Sequence, residues 1–211
     1  MIVSVHREMI LKAFKDRFSP RALSAIITAN LAQDSLINLV GHDEFHYDNN
    51  ALDDSDRYLK EQRGYVLASL LVPNGLPAWG AFGRLLHTAQ DFYAHTNYVS
   101  LWLDQFDGTP LAPPEIEPVQ KDILNSPDLC SGKLYYLREL LYLIPPFRKL
   151  ALSLLPRNSH AHMNLDSPKQ GPRFEYAFAA AFKRTQYELE VLEKILIPEM
   201  FARFTDIRST A

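Results

Sequence analysis

The run LLHTAQDFYAHTNYV, residues 85–99, sets His87, Asp91 and His95 at successive four-residue steps inside an otherwise apolar and aromatic stretch. At 3.6 residues per turn, positions i, i+4 and i+8 drift by only about 40° per step, so the three polar groups share one stripe of a helix. A helix with apolar residues on its other faces belongs in the middle of a bundle. Burying the Asp91 carboxylate there without a counter-charge is costly, and a divalent metal ion is a compact way to supply one. The competing reading is a set of satisfied core side chains.

Helical periodicity runs through most of the chain, and alternating strand patterns are scarce. From about His6, the residues Ile10, Phe14 and Phe18 recur at four-residue spacing, and Ser19-Pro20 reads as the N-cap and first position of a second helix, RALSAIITANLAQDSLINLV. Gly41 to Asp54 is polar and aromatic and reads as a loop; Ser55 is expected to cap a third helix running to about Leu71, where PNGLP breaks it. A fourth helix is expected from about Ala78 to Asp104. Phe106 to Pro127 is a proline-dense connector expected to cross the surface. Helical pattern returns over Lys133 to Leu143 and again up to Leu155, NSHAHMNLDSPKQGP forms a second polar loop, and Phe174 to Ile197 is an amphipathic helix stopped by Pro198. The expected architecture is all-α, a single-domain helical bundle over residues 1–211 with its chemistry at loop and helix ends.

The composition narrows function more than fold. With 211 residues and a net charge of −3, the chain is long enough for one sizeable core and lacks the global basic field expected of a duplex nucleic-acid binder. Cys130 is the only cysteine, so an intrachain disulfide and a thiolate-type structural zinc site are both excluded. The opening MIVSVHREMILKAF has no basic region followed by a long apolar one, and no uninterrupted apolar run approaches a bilayer span of about 18 residues. The expectation from these residues is a cytoplasmic chain without a transmembrane segment.

Besides His87 and His95, the sequence has His6, His42, His46, His160 and His162, each in or beside a segment that begins or ends a helix. Asn30 and Asp34 sit four apart on the second helix, His46 follows in the loop FHYDNN, and His162 precedes Asp166 by four residues with His160 as an alternative imidazole. Carboxylate and imidazole ligands are what zinc accepts in hydrolytic sites, with a position left open for water.

The string GRLLHTAQDFYAHTNYV resembles the hallmark of the Het-C-like proteins, which are related to zinc-dependent phospholipase C and the S1/P1 nucleases. VHREMILKAF, IITANLAQDSLINLVGHDEFHYDN and HAHMNLDSPKQGPRFEYAFAAAFKRTQ resemble the family's early histidine, its Asp-bearing helix and aromatic loop, and its closing loop and helix. The resemblance implies a cluster of two or three zinc ions at the mouth of the bundle. Asp34, His46, His87 and Asp91 would form one site. His95, His162 and Asp166 would form another, with His160 the contender for His162. His6 and a bridging Asp91 would hold the third, completed in the enzymes by the amino group and carbonyl of the mature N-terminal residue; here Met1 stands five residues before His6. The resemblance also favours export, in tension with the missing leader.

The activity so implied is hydrolysis of a phosphodiester. Zinc lowers the pKa of bound water to roughly 7, giving hydroxide at neutral pH, and a cluster clamps the attacking and leaving oxygens. Asp91 would hold the spacing of the ions, and Asp34 or a nearby carboxylate such as Asp43 would orient the water. The substrate would be a small phosphodiester, a phospholipid headgroup or a nucleotide. Phe45, Tyr47, Tyr93, Tyr98 and Trp102 could line its pocket, although aromatic residues at helical spacing are more often core. Lys60, Arg63 and Arg84 read as a solvated helix face. The alternative function is a Het-C-like, metal-stabilised interaction module without turnover.

Overall fold

The computed structural model describes residues 1–135 and 144–207. The described residues are helical with isolated bridges and no strands, in agreement with the all-α expectation. The chain begins with α1 (Val3–Phe14), α2 (Pro20–Leu31) and the short α3 (Leu36–Leu39), followed by α4 (Leu52–Ser69) and α5 (Leu76–His95). Then come α6 (Tyr98–Leu103), α7 (Lys121–Leu124), α8 (Arg148–Leu154), α9 (His160–Met163), α10 (Arg173–Ile195) and α11 (Pro198–Thr205).

Ser19 caps α2 as the sequence suggests: its hydroxyl accepts from the Ala22 amide at 3.1 Å, and Pro20 occupies the first position. α5 is the axis of the bundle, buried at nearly every position from Ala78 to His95, with α2, α4 and α10 around it. α2 and α5 approach closely at Gly83, where a Cβ would stand 2.3 Å from the Ile26 carbonyl oxygen. At the far end, Phe18, Phe82 and Phe204 pack ring against ring, and Trp79 Nε1 donates to the Phe204 carbonyl at 2.7 Å. No described helix is long and apolar enough to cross a membrane.

Four expectations about element limits shift. α4 begins at Leu52, so Ser55 lies buried inside its first turns and Asp53 and Asp54 supply the favourable negative charge at its start. The fourth helix stops at His95 because Thr96 turns extended (φ −101°, ψ 168°) and bridges Ser131; α6 is a separate element. The Phe106–Pro127 connector is strapped down, not merely draped: Ile116 is fully buried, and the buried Tyr93 and Tyr98 hydroxyls donate to the carbonyls of Pro118 and Glu117. Lys133 is extended and bridges Ser159, while residues 136–143 of the helix expected over 133–143 lie outside the described residues.

Candidate metal centre

The C-terminal end of α5 delivers His87, Asp91 and His95, as its periodicity requires, and all three are buried. α1 contributes buried His6, the turn after α2 contributes Asp34, and the loop before α4 contributes His46 and Asp48. That loop is held in an unfavourable backbone conformation. Tyr47, Asn49 and Asn50 all have positive φ (57°, 53° and 58°), tolerable for asparagine but costly for tyrosine. What holds it is the segment 130–134. Asn49 N–H donates to Gly132 O at 2.9 Å, Asn50 N–H donates to Ser131 Oγ at 2.8 Å, and the amides of Ser131 and Leu134 return bonds to the Asn50 and Asn49 side chains at 2.6 Å each. The same segment receives α5, since Gly132 N–H donates to His95 O at 3.0 Å, and α9, since His160 N–H donates to Lys133 O at 2.8 Å. It thus ties together three ligand-bearing pieces.

Around Asp91 the donors converge. One oxygen lies 3.0 Å from His87 Nε2 and 3.0 Å from His46 Nδ1; the other lies 3.2 Å from His6 Nε2 and is paired with the Met1 backbone nitrogen. Asp34 stands 3.7 Å from His87 Nε2. On the outer side, His95 Nε2 is 3.0 Å from Asp166 and His160 Nε2 is 3.8 Å from it, while Asp48 reaches His160 Nδ1 at 2.8 Å and His95 Nδ1 at 3.4 Å. Three triads hold their ligand atoms within 4.8 Å of one another: His6, Asp34 and His87; His46, His87 and Asp91; and Asp48, His95 and His160.

Proton placement decides what these groups can do. Thr185 donates to the Ala181 carbonyl and so accepts from Gln90 Nε2 at 2.9 Å, which turns Gln90 Oε1 toward His6 Nδ1 at 2.7 Å. An amide oxygen only accepts, so His6 carries a proton on Nδ1 and turns Nε2 to an Asp91 oxygen. His95 does the same. Its Nδ1 donates to the His46 carbonyl at 2.8 Å, leaving Nε2 opposite Asp166. A carboxylate oxygen only accepts, so a cation or a proton must lie between it and each Nε2 at 3.0–3.2 Å. Asp34 Oδ2 and His46 Nε2 are also buried without a hydrogen-bond partner. The donor set is imidazole and carboxylate, with the far nitrogens of His6 and His95 oriented by protein acceptors as in metal sites generally. These residues could hold a metal ion.

The electrostatics follow from crowding. Burial pushes the Asp91 carboxyl up, but the Met1 amine, His87, His95 and His6 outweigh it and hold Asp91 well below the usual carboxylate range. Asp166 is likewise held low against its burial by the Met1 amine, His95 and His160. Burial, only partly opposed by Asp91, pushes His87 down to about 3, so it is neutral at physiological pH. His46 resists burial through its bond to Asp91 and is raised, and Asp34 is raised by burial and by the Asp91 charge.

Of the residues expected at the site, His6, Asp34, His46, His87, Asp91, His95, His160 and Asp166 come together. His162 does not: it is exposed, with Nε2 2.9 Å from the Leu152 carbonyl. Two positions apart on the single turn of α9, the two imidazoles point to opposite faces, and the four-residue step to Asp166 fails because the helix ends at Met163. Asp43 is engaged in the turn, accepting from Asn49 Nδ2 at 2.8 Å. Asp48, Gln90 and Gly132 were not foreseen; the Asp and Asn run after His46 and the Ser-Gly pair at 131–132 are the only local signals for two of them. Tyr93, Tyr98 and Trp102 are core, and Arg63 is no solvated side chain but pairs with fully buried Glu188 at 2.7 Å.

Fold and site together define an all-α bundle that gathers buried histidine and aspartate groups able to hold a metal. Residues 5–115 match the model of the VWA7 N-terminal domain, which spans more than half of the chain, and the chain belongs to that family. No curated protein and no solved structure matches it.

Proposed function

We propose that the chain is a zinc-dependent phosphodiester hydrolase of the phospholipase C and P1 nuclease type. The observation that carries the reading is the pair of imidazole Nε2 atoms facing carboxylate oxygens, His6 toward Asp91 and His95 toward Asp166, in a cluster that opens outward. His6, Asp34, His46, His87 and Asp91 would hold metal on the inner side, and Asp48, His95, His160 and Asp166 on the outer side. When bound, zinc supplies Lewis acidity toward a phosphoryl oxygen and an acidified water. Gln90 and the His46 carbonyl fix the tautomers of His6 and His95, so both rings offer lone pairs inward.

Asp34 is the residue suited to move a proton. Its side chain is about a quarter exposed at the cluster mouth, one oxygen is unpartnered, and its raised pKa brings it closer to the range of a working base. The mouth is a cavity of about 300 Å³ whose walls join Asp34, His46, His160 and Asp166 to Leu39 and Val40. Leu36 and Ile37, on the same short helix, are 81% and 80% exposed. This apolar rim favours a phospholipid headgroup over a nucleotide as the phosphodiester.

The test combines zinc stoichiometry with turnover of bis(p-nitrophenyl) phosphate and of phosphatidylcholine, on wild type, Asp91→Asn and Asp34→Asn. Asp91→Asn is expected to lose zinc and turnover. Asp34→Asn, which removes one inner ligand together with the base, is expected to keep its fold and the zinc held by His46, His87 and Asp91 while turnover falls on the order of a hundredfold, as for a lost general base. Zinc without turnover on either substrate would replace this reading with the metal-stabilised interaction module, and absence of zinc would defeat both.

A further inference from the structure

A second cavity, of about 650 Å³, lies on the other side of the 160–166 segment from the cluster. His160 and Asp166 turn toward the cluster mouth, whereas His162 and Asn164 line this outer space. Its charged walls are Arg157, from the loop after α8, and Lys169 and Arg173, from the turn that leads into α10, and among the described residues neither an aspartate nor a glutamate lines it. That concentration runs against a chain whose net charge is −3. None of the three cations forms an ion pair with a described carboxylate. Arg173 is anchored at one edge, donating to Ser100 Oγ at 3.1 Å, which leaves its other donors for a ligand.

Like charges gathered around one concavity repel until an anion enters, and a low-dielectric wall focuses their field into it. Guanidinium groups present planar, paired donors that match the oxygens of phosphate and sulfate, and an ammonium adds a compact point charge. The volume falls within the usual range of about 300–1,000 Å³ for small-molecule pockets, so a phosphate group would leave space for the body that carries it.

We propose that this cavity is an anion-binding site for a phosphate-bearing small molecule or headgroup, with Arg157 and Arg173 gripping the oxygens and Lys169 supplying the third charge. The site goes beyond the proposed hydrolysis and stands independently of it, since none of the three cations belongs to the cluster. The segment between the two sites gives a route by which an anion here could position a substrate whose phosphodiester lies at the metals.

The experiment is calorimetric titration of the full chain with inorganic phosphate, on wild type, Arg157→Ala, Lys169→Ala, Arg173→Ala and Asp91→Asn, with circular dichroism to verify folding. Each arginine variant is expected to bind at least about tenfold more weakly, as a lost charge-assisted contact implies, and Lys169→Ala severalfold more weakly. Asp91→Asn, expected to lose zinc, should stay within about twofold of wild type, and binding should weaken as salt is raised. Sedimentation with phosphatidylcholine vesicles, with and without phosphatidic acid, separates the sources. Binding of the phosphatidic acid vesicles that is lost in Arg157→Ala and Arg173→Ala identifies a lipid headgroup, and capture of inorganic phosphate alone identifies a soluble ligand. Unchanged phosphate affinity in both arginine variants, or phosphate binding abolished by Asp91→Asn but not by them, would place the anion at the cluster and overturn the proposal.

Discussion

Gly83→Ala tests how the candidate metal centre is braced. A Cβ at Gly83 would stand 2.3 Å from Ile26 O, 2.8 Å from Ala29 Cβ and 2.9 Å from Asn30 N, and two of these are backbone atoms of α2 that cannot rotate away. Ordinary contact lies near 3.5 Å or beyond, so α2 and α5 must part by roughly 1 Å. Overpacking of this kind costs typically about 1–3 kcal/mol, and rigid backbone neighbours place it at the upper end. Alanine regains about 1 kcal/mol of helix propensity. The net loss is about 2 kcal/mol, or roughly 4–8 °C in Tm for a chain of this size. The control is Gly64→Ala, in the middle of α4 with nothing within 4 Å of the added Cβ, which keeps only the propensity gain and should melt a few degrees above wild type. Because α2 carries Asn30, whose amide lies 3.3 Å from Gln90 Oε1, and leads into Asp34, the proposed zinc site predicts weaker metal binding in the variant as well. Thermal melts of the three proteins at equal metal loading decide the matter. If Gly83→Ala melts with Gly64→Ala, the close approach of α2 and α5 does not brace the bundle and the reasoning fails.

Gly132→Ala would bring a Cβ to 2.6 Å from His160 Cα, so the triad of Asp48, His95 and His160 should open while the other two remain; on the proposed zinc site, metal analysis is expected to show partial zinc loss with little change in helicity. Glu188 is pushed up by burial but held below its ordinary value by Arg184 and Arg63, so the folded pKa is depressed. Its contribution is therefore complete above about 4.5, the unfolded value, and is lost as pH falls through the depressed folded pKa. Glu188→Gln should flatten the acid limb of a stability-against-pH curve and cost about 3–5 kcal/mol at neutral pH by leaving two guanidiniums without their buried partner; an unchanged acid limb would refute the assignment. Leu36→Ser with Ile37→Ser should lower turnover on phosphatidylcholine vesicles severalfold while leaving bis(p-nitrophenyl) phosphate hydrolysis unchanged.

What could be read in advance was local and periodic. His87, Asp91 and His95 share a face because four-residue spacing on a helix forces it, and Ser19-Pro20 marks a helix start because both residues suit unpaired amides. What escaped was set by contacts distant in sequence. Asp48 becomes a donor only because residues with positive φ turn the loop and the 130–134 segment clamps it. His160 and His162 are equivalent by composition, and a single helical turn separates their fates. Arg63 looked solvated because its partner, Glu188, lies 125 positions away.

The same division shows how the cluster is assembled. The family match, residues 5–115, contains His6, Asp34, His46, Asp48, His87, Asp91 and His95, whereas Gly132, His160 and Asp166 fall beyond it. The inner side-chain donors around Asp91 therefore all lie within the matched stretch, and the outer set borrows its last imidazole and carboxylate from the closing segment. The two are coupled through one residue. His46 turns its ring to Asp91 and its carbonyl to His95 Nδ1, so it orients a donor on each side. A displacement of this loop moves both sets at once, which explains why its strained backbone is held by four hydrogen bonds from a segment that contributes no ligand of its own.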